Sequence, residues 1–244
     1  MYTMCNYNKM KTYILAAGKG TRMKSDIPKS LSLVGGKPII FQTLSNLIKL
    51  KALEITILVG YKAEEIKKKI NENYKDIKFL NQDNLNGTGQ AVLEILNKDK
   101  NTGKDFMVMN ADDSLFYNVH EINELIKSHS NSKALVSLFI IKDKENRNYR
   151  KVIINKEKKF LYLSKETKTK GYIVTGLYIF NRDFIFNYLL NSSKTDEELR
   201  ITDFMYLKDI REKINIKIIN EENWFGINTK EELILANQIW QSLQ

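Results

Sequence analysis

A short glycine-rich segment is the first part of the chain whose residue types could do chemistry. Residues 18–22 read GKGTR and overlap the end of an apolar run at 12–18. Glycines let a backbone approach a ligand closely, and amide N–H groups exposed at such a turn suit phosphate oxygens. Arg22 and Lys29 add two positive charges close by. The segment therefore predicts a phosphate-binding loop at the end of a buried strand.

Two common phosphate-binding loops do not fit this part of the chain. The dinucleotide-binding fingerprint requires a third glycine where the chain has Met23. The loop of the P-loop NTPases requires Ser or Thr after a Gly-Lys pair, but Gly36 and Lys37 are followed by Pro38. Leu31 also stands where that loop needs its first glycine. Both interpretations are therefore discounted.

The glycine loop and a later Pro-Lys pair together resemble the signature G-x-G-T-R…P-K of nucleotidyltransferases that make nucleotide sugars. These enzymes transfer a nucleoside monophosphate from a nucleoside triphosphate to a sugar 1-phosphate and release pyrophosphate. Because the spacer before Pro28 is short and GKP follows at 36–38, the chain most resembles the uridylyltransferase part of N-acetylglucosamine-1-phosphate uridylyltransferases. The resemblance implies catalytic roles for Arg22 and Lys29. It also implies that a group of loop positions binds the nucleotide, namely Leu15, Ala16, Ala17, Gly18, Gly20 and Thr21.

A second segment, QDNLNGTGQA at 82–91, resembles the family's Q-x4-G-T-G-x-A sequence. The resemblance implies that Gln82, Gly87 and Thr88 bind the nucleotide, with Gln82 and Gly87 reading the pyrimidine edge. A glutamine amide both donates and accepts hydrogen bonds, so it can pair with adjacent O and N–H groups of uracil. The alternative is a polar loop that leads into a helix capped by Thr88.

Two further matches imply a Mg²⁺ site. ADDSL at 111–115 is similar to the family's G-D-x-P-L, and GIN at 226–228 is similar to its G-x-N. The resemblance implies that Asp112, which is also given a catalytic role, and Asn228 hold the metal, with Asp113 as the alternative carboxylate. One carboxylate, one amide oxygen, substrate phosphates and water form a suitable magnesium shell. The alternative role of both segments is helix capping, by Asp113 and by Asn228 with Thr229.

The matches on the acceptor side are weaker. ETK at 166–168 resembles the family's E-x-K, which implies that Glu166 and Lys168 contact the sugar phosphate. VTG at 174–176 lies where the family places the sugar, which implies binding by Val174, Thr175 and Gly176. ELRITD at 198–203 resembles a family segment at a helix start, and we interpret Thr202 or Asp203 as its N-cap.

The chain also departs from the family, and the departures fall on the acceptor side. Val174 replaces an asparagine that contacts the sugar, and the family's G-Y-G-R loop is NYRK at 148–151. The reaction class is therefore better supported than the sugar.

The elements that must position these residues alternate in type along the first half of the chain. We expect strands at 12–18, 54–60, 77–81 and 105–109, then at 133–141, 152–154, 160–163, 172–180 and 216–219. We expect helices from Pro38 through Ile48 and at 63–70, 89–96, 182–190, 203–212 and 231–240.

This order predicts an α/β fold, a Rossmann-like three-layer α/β/α arrangement with a mostly parallel mixed central sheet and a β-rich sugar-binding insertion. Ligands bind at the carboxyl ends of such strands. We expect one nucleotidyltransferase domain over 1–244, with a nucleotide-binding half at 12–131 and a sugar-phosphate-binding half with a closing helix at 132–244.

Composition excludes several classes of protein. One Cys and two His among 244 residues exclude a disulfide framework and a Cys- or His-rich metal site. No apolar run reaches the roughly 20 residues of a membrane-spanning helix, so we expect a cytoplasmic protein that does not bind a membrane. Whether it forms a homo-oligomer stays open.

The net charge of +10 comes mainly from residues 142–170, which hold eleven Lys or Arg against four acids. We interpret this segment as solvated hairpin edges, with attraction of phosphate groups as the alternative. A basic RNA-binding domain is a further alternative, but no nucleic-acid motif is present, so we expect no nucleic-acid partner.

The expected reaction transfers a nucleoside monophosphate from a nucleoside triphosphate, with UTP expected, to a sugar 1-phosphate such as N-acetylglucosamine 1-phosphate, with Mg²⁺ as cofactor. The phosphate nucleophile is already anionic, so no general base is required. His120 and His129 are accordingly expected at the surface or at helix ends. The alternatives are CTP or another triphosphate with a different phosphorylated acceptor, and a nucleotide-sugar sensor without turnover.

Overall fold

The computed structural model describes residues 10–52, 54–112, 116–145, 147–193 and 198–242. These residues form helices α1 Ile39–Lys49, α2 Ala63–Asn71, α3 Gly87–Lys98, α4 Val119–Asn131, α5 Arg182–Ser192 and α6 Lys230–Ser242. The strands in the same ranges are β1 Lys11–Ala16, β2 Leu33–Val34, β3 Lys37–Pro38, β4 Glu54–Val59, β5 Lys78–Asn81, β6 Asp105–Asn110, β7 Val136–Lys142, β8 Val152–Ile154, β9 Phe160–Leu163, β10 Tyr172–Asn181 and β11 Ile214–Ile218.

The central sheet has the strand order β11-β7-β10-β6-β1-β4-β5. Strands β6, β1, β4 and β5 are mutually parallel, and β11 is parallel to β7. Strand β10 is antiparallel to both β6 and β7, and β8 joins it to β9. The glycine loop follows β1 in the middle of the parallel part, so it lies at the carboxyl edge of the sheet.

Apolar side chains cover both faces of this sheet. Tyr13 and Ile14 are neighbours on β1 and are fully buried, but they belong to different cores because successive side chains in a strand point to opposite faces. Tyr13 shares its core with Val92 of α3 and Leu189 of α5. Ile14 shares its core with residues of α1, α2 and α4 such as Leu44. The predicted three-layer α/β fold with a mostly parallel mixed sheet is therefore confirmed.

The helices differ from the expectation in two places. The predicted helix at 203–212 is wrong, because the chain forms two short 3-10 helices at Ile201–Tyr206 and Arg211–Lys213. Phe204 and Met205 are buried in the first of these two 3-10 helices. Helix α4 was not predicted, although Ile122, Leu125 and Ile126 follow the helical spacing and are buried.

Two charged or titratable side chains are more buried than expected. The interpretation of 142–170 as a solvated segment is wrong at Lys151, which has no exposed surface and lies 2.9 Å from the equally buried carboxylate of Asp143. His129 lies at a helix end, as expected, in the last turn of α4, but it is only 3% exposed and lies 2.8 Å from Ser137 Oγ. His120 is exposed at the start of α4, as expected.

None of the helices in the described ranges is both long and apolar enough to cross a bilayer.

Candidate active site

The glycine loop turns back at the end of β1 against Lys29. Gly20 has a φ of +59°, in the left-handed region that favours glycine, and a Cβ there would lie 3.0 Å from Lys29 Cβ. A Cβ on Gly18 would meet no atom within 4 Å. Gly20 therefore allows the turn, while the space beside Gly18 stays open for a ligand.

That space belongs to a cavity of about 450 Å³. It brings together most of the residues predicted to bind the nucleotide and all of those predicted to be catalytic or to hold the metal, namely Leu15, Ala16, Ala17, Gly18, Gly20, Arg22, Lys29, Gln82, Gly87, Thr88, Asp112 and Asn228. Thr21 does not line it and is exposed at the start of a 3-10 turn. Segments from four separate parts of the chain therefore meet at the carboxyl edge of the sheet.

Lys29 is the centre of a polar cluster in this cavity. Its ammonium contacts Asp112 Oδ2 and lies 3.0 Å from Asn228 Oδ1. Arg22 donates to the same Asn228 oxygen at 2.9 Å. The Asn228 amide in turn donates to the Tyr149 hydroxyl at 3.3 Å. Two cations, one carboxylate and one amide therefore meet at a single point.

Helix α6 fixes the position of Asn228. Thr229 Oγ1 accepts from the Glu232 amide at 3.2 Å, while Glu232 Oε2 accepts from the amides of Asn228 at 2.5 Å and Thr229 at 3.0 Å. This is a capping box, which satisfies the free amides of a helix start. Because Thr229 and Glu232 cap the helix, the Asn228 side chain is free to face the cluster. The helix-capping alternative therefore applies to Thr229 and not to the Asn228 side chain.

Asp112 and Asn228 together fit a hard cation. Asp112 Oδ2 and Asn228 Oδ1 both accept from one ammonium group, so a single small cation could contact both oxygens. The ranges that the structure describes hold no group of three or more His, Cys, Asp or Glu suited to a metal, so the other ligands would come from substrate phosphates and water. Asp113 lies outside the described residues.

The segment predicted to read the base is held by a buried glutamate that the sequence analysis missed. Glu94 of α3 is 7% exposed, and its two carboxylate oxygens accept from the amides of Asp83 at 2.8 Å and Asn84 at 2.9 Å. Gln82 Nε2 donates to the Asn84 carbonyl at 2.7 Å. These bonds fix the loop and the orientation of the Gln82 amide at the cavity wall.

The Gly-Thr-Gly segment packs directly against the chain near residue 199. Gly87 has a φ of +93°, and a Cβ there would lie 2.4 Å from Leu199 O. The Gly89 amide donates to that carbonyl at 2.8 Å, and Thr88 Oγ1 accepts from the Ile201 amide at 3.1 Å. The two glycines thus allow a close backbone approach. Thr88 ties two distant motifs together instead of capping α3.

A second cavity of about 480 Å³ lies on the acceptor side. Val174 lines it, and a small cavity of about 170 Å³ contains both Val174 and Thr175 together with Asp112. Gly176 is buried in β10, where the register with β7 shifts. Glu166 and Lys168 are exposed on the turn after β9 and line none of these three cavities.

The acceptor cavity contains residues that the sequence analysis did not assign. Arg150 donates to Asp203 Oδ1 at 2.5 Å. Burial acts to lower the pKa of Arg150, but the hydrogen bond and charge of Asp203 outweigh it and raise the pKa. The N-cap interpretation is wrong for Asp203 and Thr202, because the 3-10 helix there has Arg200 at its N-cap position and no side-chain cap.

Comparison with known proteins places this architecture in a family. The family model described as Nucleotidyl transferase matches residues 11–242. The chain belongs to the nucleotidyl transferase family. The nucleotide-sugar nucleotidyltransferase resemblance is confirmed by relatives found over almost the whole chain.

These relatives are bifunctional GlmU proteins. The chain is 32% identical over 244 aligned residues to that of Aliarcobacter butzleri, with 96% of this chain and 54% of the relative covered. It is 30% identical over 240 residues to that of Prochlorococcus marinus, with 95% and 52% covered. The chain therefore spans about half the length of the GlmU relatives it matches.

Solved structures show the same fold at lower identity. The nucleotidyl transferase resembles HddC from Yersinia pseudotuberculosis, crystallised with GMP-PN, with a TM-score of 0.70 and 20% identity over 94% of this chain and 98% of that one. It also resembles the 4-diphosphocytidyl-2C-methyl-D-erythritol synthase of Anaerococcus prevotii, with a TM-score of 0.72 and 18% identity over 99% and 100% of the two chains.

Proposed function

We propose that the protein transfers a nucleoside monophosphate from a nucleoside triphosphate, with UTP preferred, to a sugar 1-phosphate, giving a nucleotide sugar and pyrophosphate. The observation that carries this proposal is the contact of Lys29 with both Asp112 and Asn228 in the glycine-loop cavity. It gathers the charges that such a transfer needs at one point, beside a loop suited to phosphate oxygens.

The protein residues act by positioning and by neutralising charge. The open amide-bearing turn beside Gly18 holds the triphosphate, and Arg22 and Lys29 hold phosphate oxygens. The acceptor enters through the small cavity that contains Tyr149, Thr175 and Asp112. A phosphate oxygen of the acceptor then forms a bond to the α-phosphorus while the bond to pyrophosphate breaks on the opposite side.

No side chain needs to accept a proton in this step, because the attacking phosphate is already anionic. The positions of the histidines support this, since His129 is buried against Ser137 and His120 lies exposed on α4. Asp112 and Asn228 would hold Mg²⁺. That ion supplies neutralisation of the charge on the phosphate oxygens when bound.

The two sides of the cleft divide the substrates. We place the nucleotide in the half that spans 12–131 and the sugar phosphate in the half that spans 132–244, within one domain. The glycine loop and Gln82 belong to the first half. Tyr149 and Val174 belong to the second. Gln82 supports uracil as the base, because its side-chain amide can both donate and accept hydrogen bonds. The bond from Gln82 Nε2 to the Asn84 carbonyl holds that amide in one orientation at the cavity wall.

A panel of the four common nucleoside triphosphates against several sugar 1-phosphates, with Mg²⁺ and mass detection of products, tests the proposal. We expect a nucleotide sugar and pyrophosphate, with UTP giving the highest kcat/KM. The Asp112→Ala variant should form little product while remaining folded by circular dichroism. Absence of any nucleotide sugar across the panel overturns the proposed reaction. A preference for CTP would show that the assignment of uracil as the base is wrong, while the proposed reaction class would stand.

A further inference from the structure

Three cavities follow one another across the site. The glycine-loop cavity and the small cavity share Asn110, Asp112 and Asn228 as walls. The small cavity and the acceptor cavity share a different set, Tyr149, Val174 and Tyr178. A ligand that reacts near Asp112 can therefore extend away from the nucleotide into the acceptor cavity.

Three cations line the acceptor cavity. Among the described residues, its walls carry Arg150, Lys165 and Arg200 and no carboxylate. The other walls are polar or apolar neutral residues, namely Asn148, Tyr149, Leu163, Thr167, Val174, Tyr178 and Thr202. A cavity that binds only neutral hydroxyl groups has no need of three cations, because carboxylates and amides serve as acceptors for hydroxyl donors.

The excess charge in this cavity is concentrated at Lys165. Arg200 pairs with Glu198 at 3.0 Å, and Arg150 pairs with Asp203 at 2.5 Å. Lys165 forms no ion pair with any of the described residues. Its ammonium lies 5.8 Å from the centre of the Tyr206 ring.

Arg150 and Lys165 share the same aromatic surface. The Arg150 guanidinium lies 5.4 Å from the centre of the Tyr206 ring that Lys165 also faces. Two cations thus lie near one aromatic ring. The carboxylate of Asp203 neutralises only one of the two positive charges. An anion that enters the cavity would compensate the remaining positive charge and could accept hydrogen bonds from both side chains.

The buried side chain of Lys151 holds the loop that carries Arg150 in place. The buried Lys151 ammonium donates to the carbonyl oxygens of Arg147 at 2.5 Å, Tyr149 at 2.8 Å and Thr167 at 2.8 Å. Asp143 lies 2.9 Å from the same ammonium. Because four oxygens surround Lys151, the loop can present Arg150 with little loss of side-chain or backbone freedom on binding.

These cations lie beyond the place of reaction. Arg150 and Lys165 line the acceptor cavity but not the small cavity that contains Asp112. The reacting phosphate of the acceptor must reach Asp112, so a different group of the same molecule faces Lys165.

We propose that the acceptor carries a second anionic group, a carboxylate or a phosphate, which binds to Lys165 and Arg150. This inference rests on the proposed function, because it names the class of acceptor for the same reaction. The second anion makes the acceptor distinct from a neutral hexose 1-phosphate.

Three acceptors that differ only at C6 of the sugar test the proposal. They are glucose 1-phosphate, glucuronic acid 1-phosphate and glucose 1,6-bisphosphate, the last two of which separate a carboxylate from a phosphate. We expect kcat/KM for at least one anionic acceptor to be roughly tenfold higher than kcat/KM for glucose 1-phosphate. A factor of this size corresponds to the gain of one charge-assisted hydrogen bond. Lys165→Gln should abolish that preference through KM, whereas Lys156→Gln on an exposed turn should retain it.

Arg150→Gln leaves Asp203 without its ion-pair partner and can weaken folding. The Lys165→Gln variant is therefore the one that tests the anion site. Equal or better use of glucose 1-phosphate overturns the proposal, as does a preference that survives in Lys165→Gln. Titration calorimetry with the same three sugar phosphates measures the preference without turnover. An anionic preference in binding without any product refutes the proposed reaction and supports the anion site. Product formation without the preference, or no binding of either anionic sugar phosphate, refutes the anion site.

Discussion

The ammonium of Lys29 contacts the carboxylate of Asp112 across 83 positions of the chain. Both side chains are partly buried, with 12% and 30% of their surfaces exposed. Removing either partner therefore leaves an unbalanced charge in the cleft, in addition to the loss of its own contact with substrate.

Lys29→Ala and Asp112→Ala should each lower kcat by about 10²–10³, the usual effect of losing one preorganised group. The double variant should lose much less than the product of the two effects, because the residues act as one unit. Pyrophosphate release measures all three. Lys49→Ala at the exposed end of α1 is the matched control and should keep the parental rate. Fully multiplicative losses would contradict the coupling.

Glu232→Ala should lower both stability and activity. It removes the acceptor for the amides of Asn228 and Thr229, which should cost about 1 kcal/mol in the free energy of unfolding. The Asn228 side chain then loses its fixed position, so kcat should also fall. Urea unfolding and pyrophosphate release measure the two effects. Glu222→Ala, an exposed glutamate outside α6, is the control, and an unchanged kcat in Glu232→Ala would contradict the positioning role.

Gly87→Ala should strongly disturb the nucleotide site. Its Cβ would lie 2.4 Å from Leu199 O at a φ of +93°, so the 199 segment must move. Gly36→Ala separates the two causes, because Gly36 also has a positive φ of +74° but a Cβ there meets nothing within 4 Å. We expect Gly36→Ala to lose about 1 kcal/mol of stability and Gly87→Ala to lose more and to raise KM for the triphosphate. Equal effects in the two variants would argue against the close packing.

Asp99→Asn should change how stability depends on pH. Burial acts to raise the pKa of Asp99, but hydrogen bonds from Tyr13, the Asn101 amide and Lys11 outweigh it and hold the pKa below the usual 3.8. A carboxyl with a lowered folded-state pKa adds stability above its unfolded pKa and loses it as pH falls through the folded value. The parent should therefore be more stable than Asp99→Asn above about pH 4, with a gap that closes in stronger acid.

Acid titration of the unfolding free energy checks this prediction. Asp99 contacts Lys11 at 3.1 Å and Tyr13 at 2.7 Å near the start of β1, opposite the glycine loop. The kcat of Asp99→Asn should therefore match the parent. A gap that stays constant from neutral pH to strong acid would contradict the assigned role of this carboxylate.

Neutralising Lys156, Lys158 and Lys159 together should have little effect on substrate capture. All three are exposed in the turn between β8 and β9, and Lys159 already pairs with Glu157 at 2.9 Å. The dependence of kcat/KM on salt should change far less in this triple variant than turnover changes on losing Lys29. Steady-state kinetics over a range of ionic strength decides between solvated charge and electrostatic steering.

Much of the fold and part of the site could be predicted because the signals are local. Alternating strand and helix patterns fixed the layers, and the glycine loop placed Arg22 and Lys29 beside one cavity. The failures are non-local. Lys151 lies in a basic run of the sequence, yet its ammonium is buried among three carbonyl oxygens and the carboxylate of Asp143. Asp203 was predicted to cap a helix, but its carboxylate pairs with Arg150.

The turn at the end of β1 could be predicted from the residue order, because glycine spacing and charge act over a few neighbouring residues. Which side chains meet at that turn depends on the packing of elements that are distant in the chain. Asn228 reaches Lys29 from 199 positions away because α6 packs near β2, and Leu199 reaches Gly87 because two glycines leave space. Such contacts depend on how whole elements pack, and no local spacing in the chain encodes that distance.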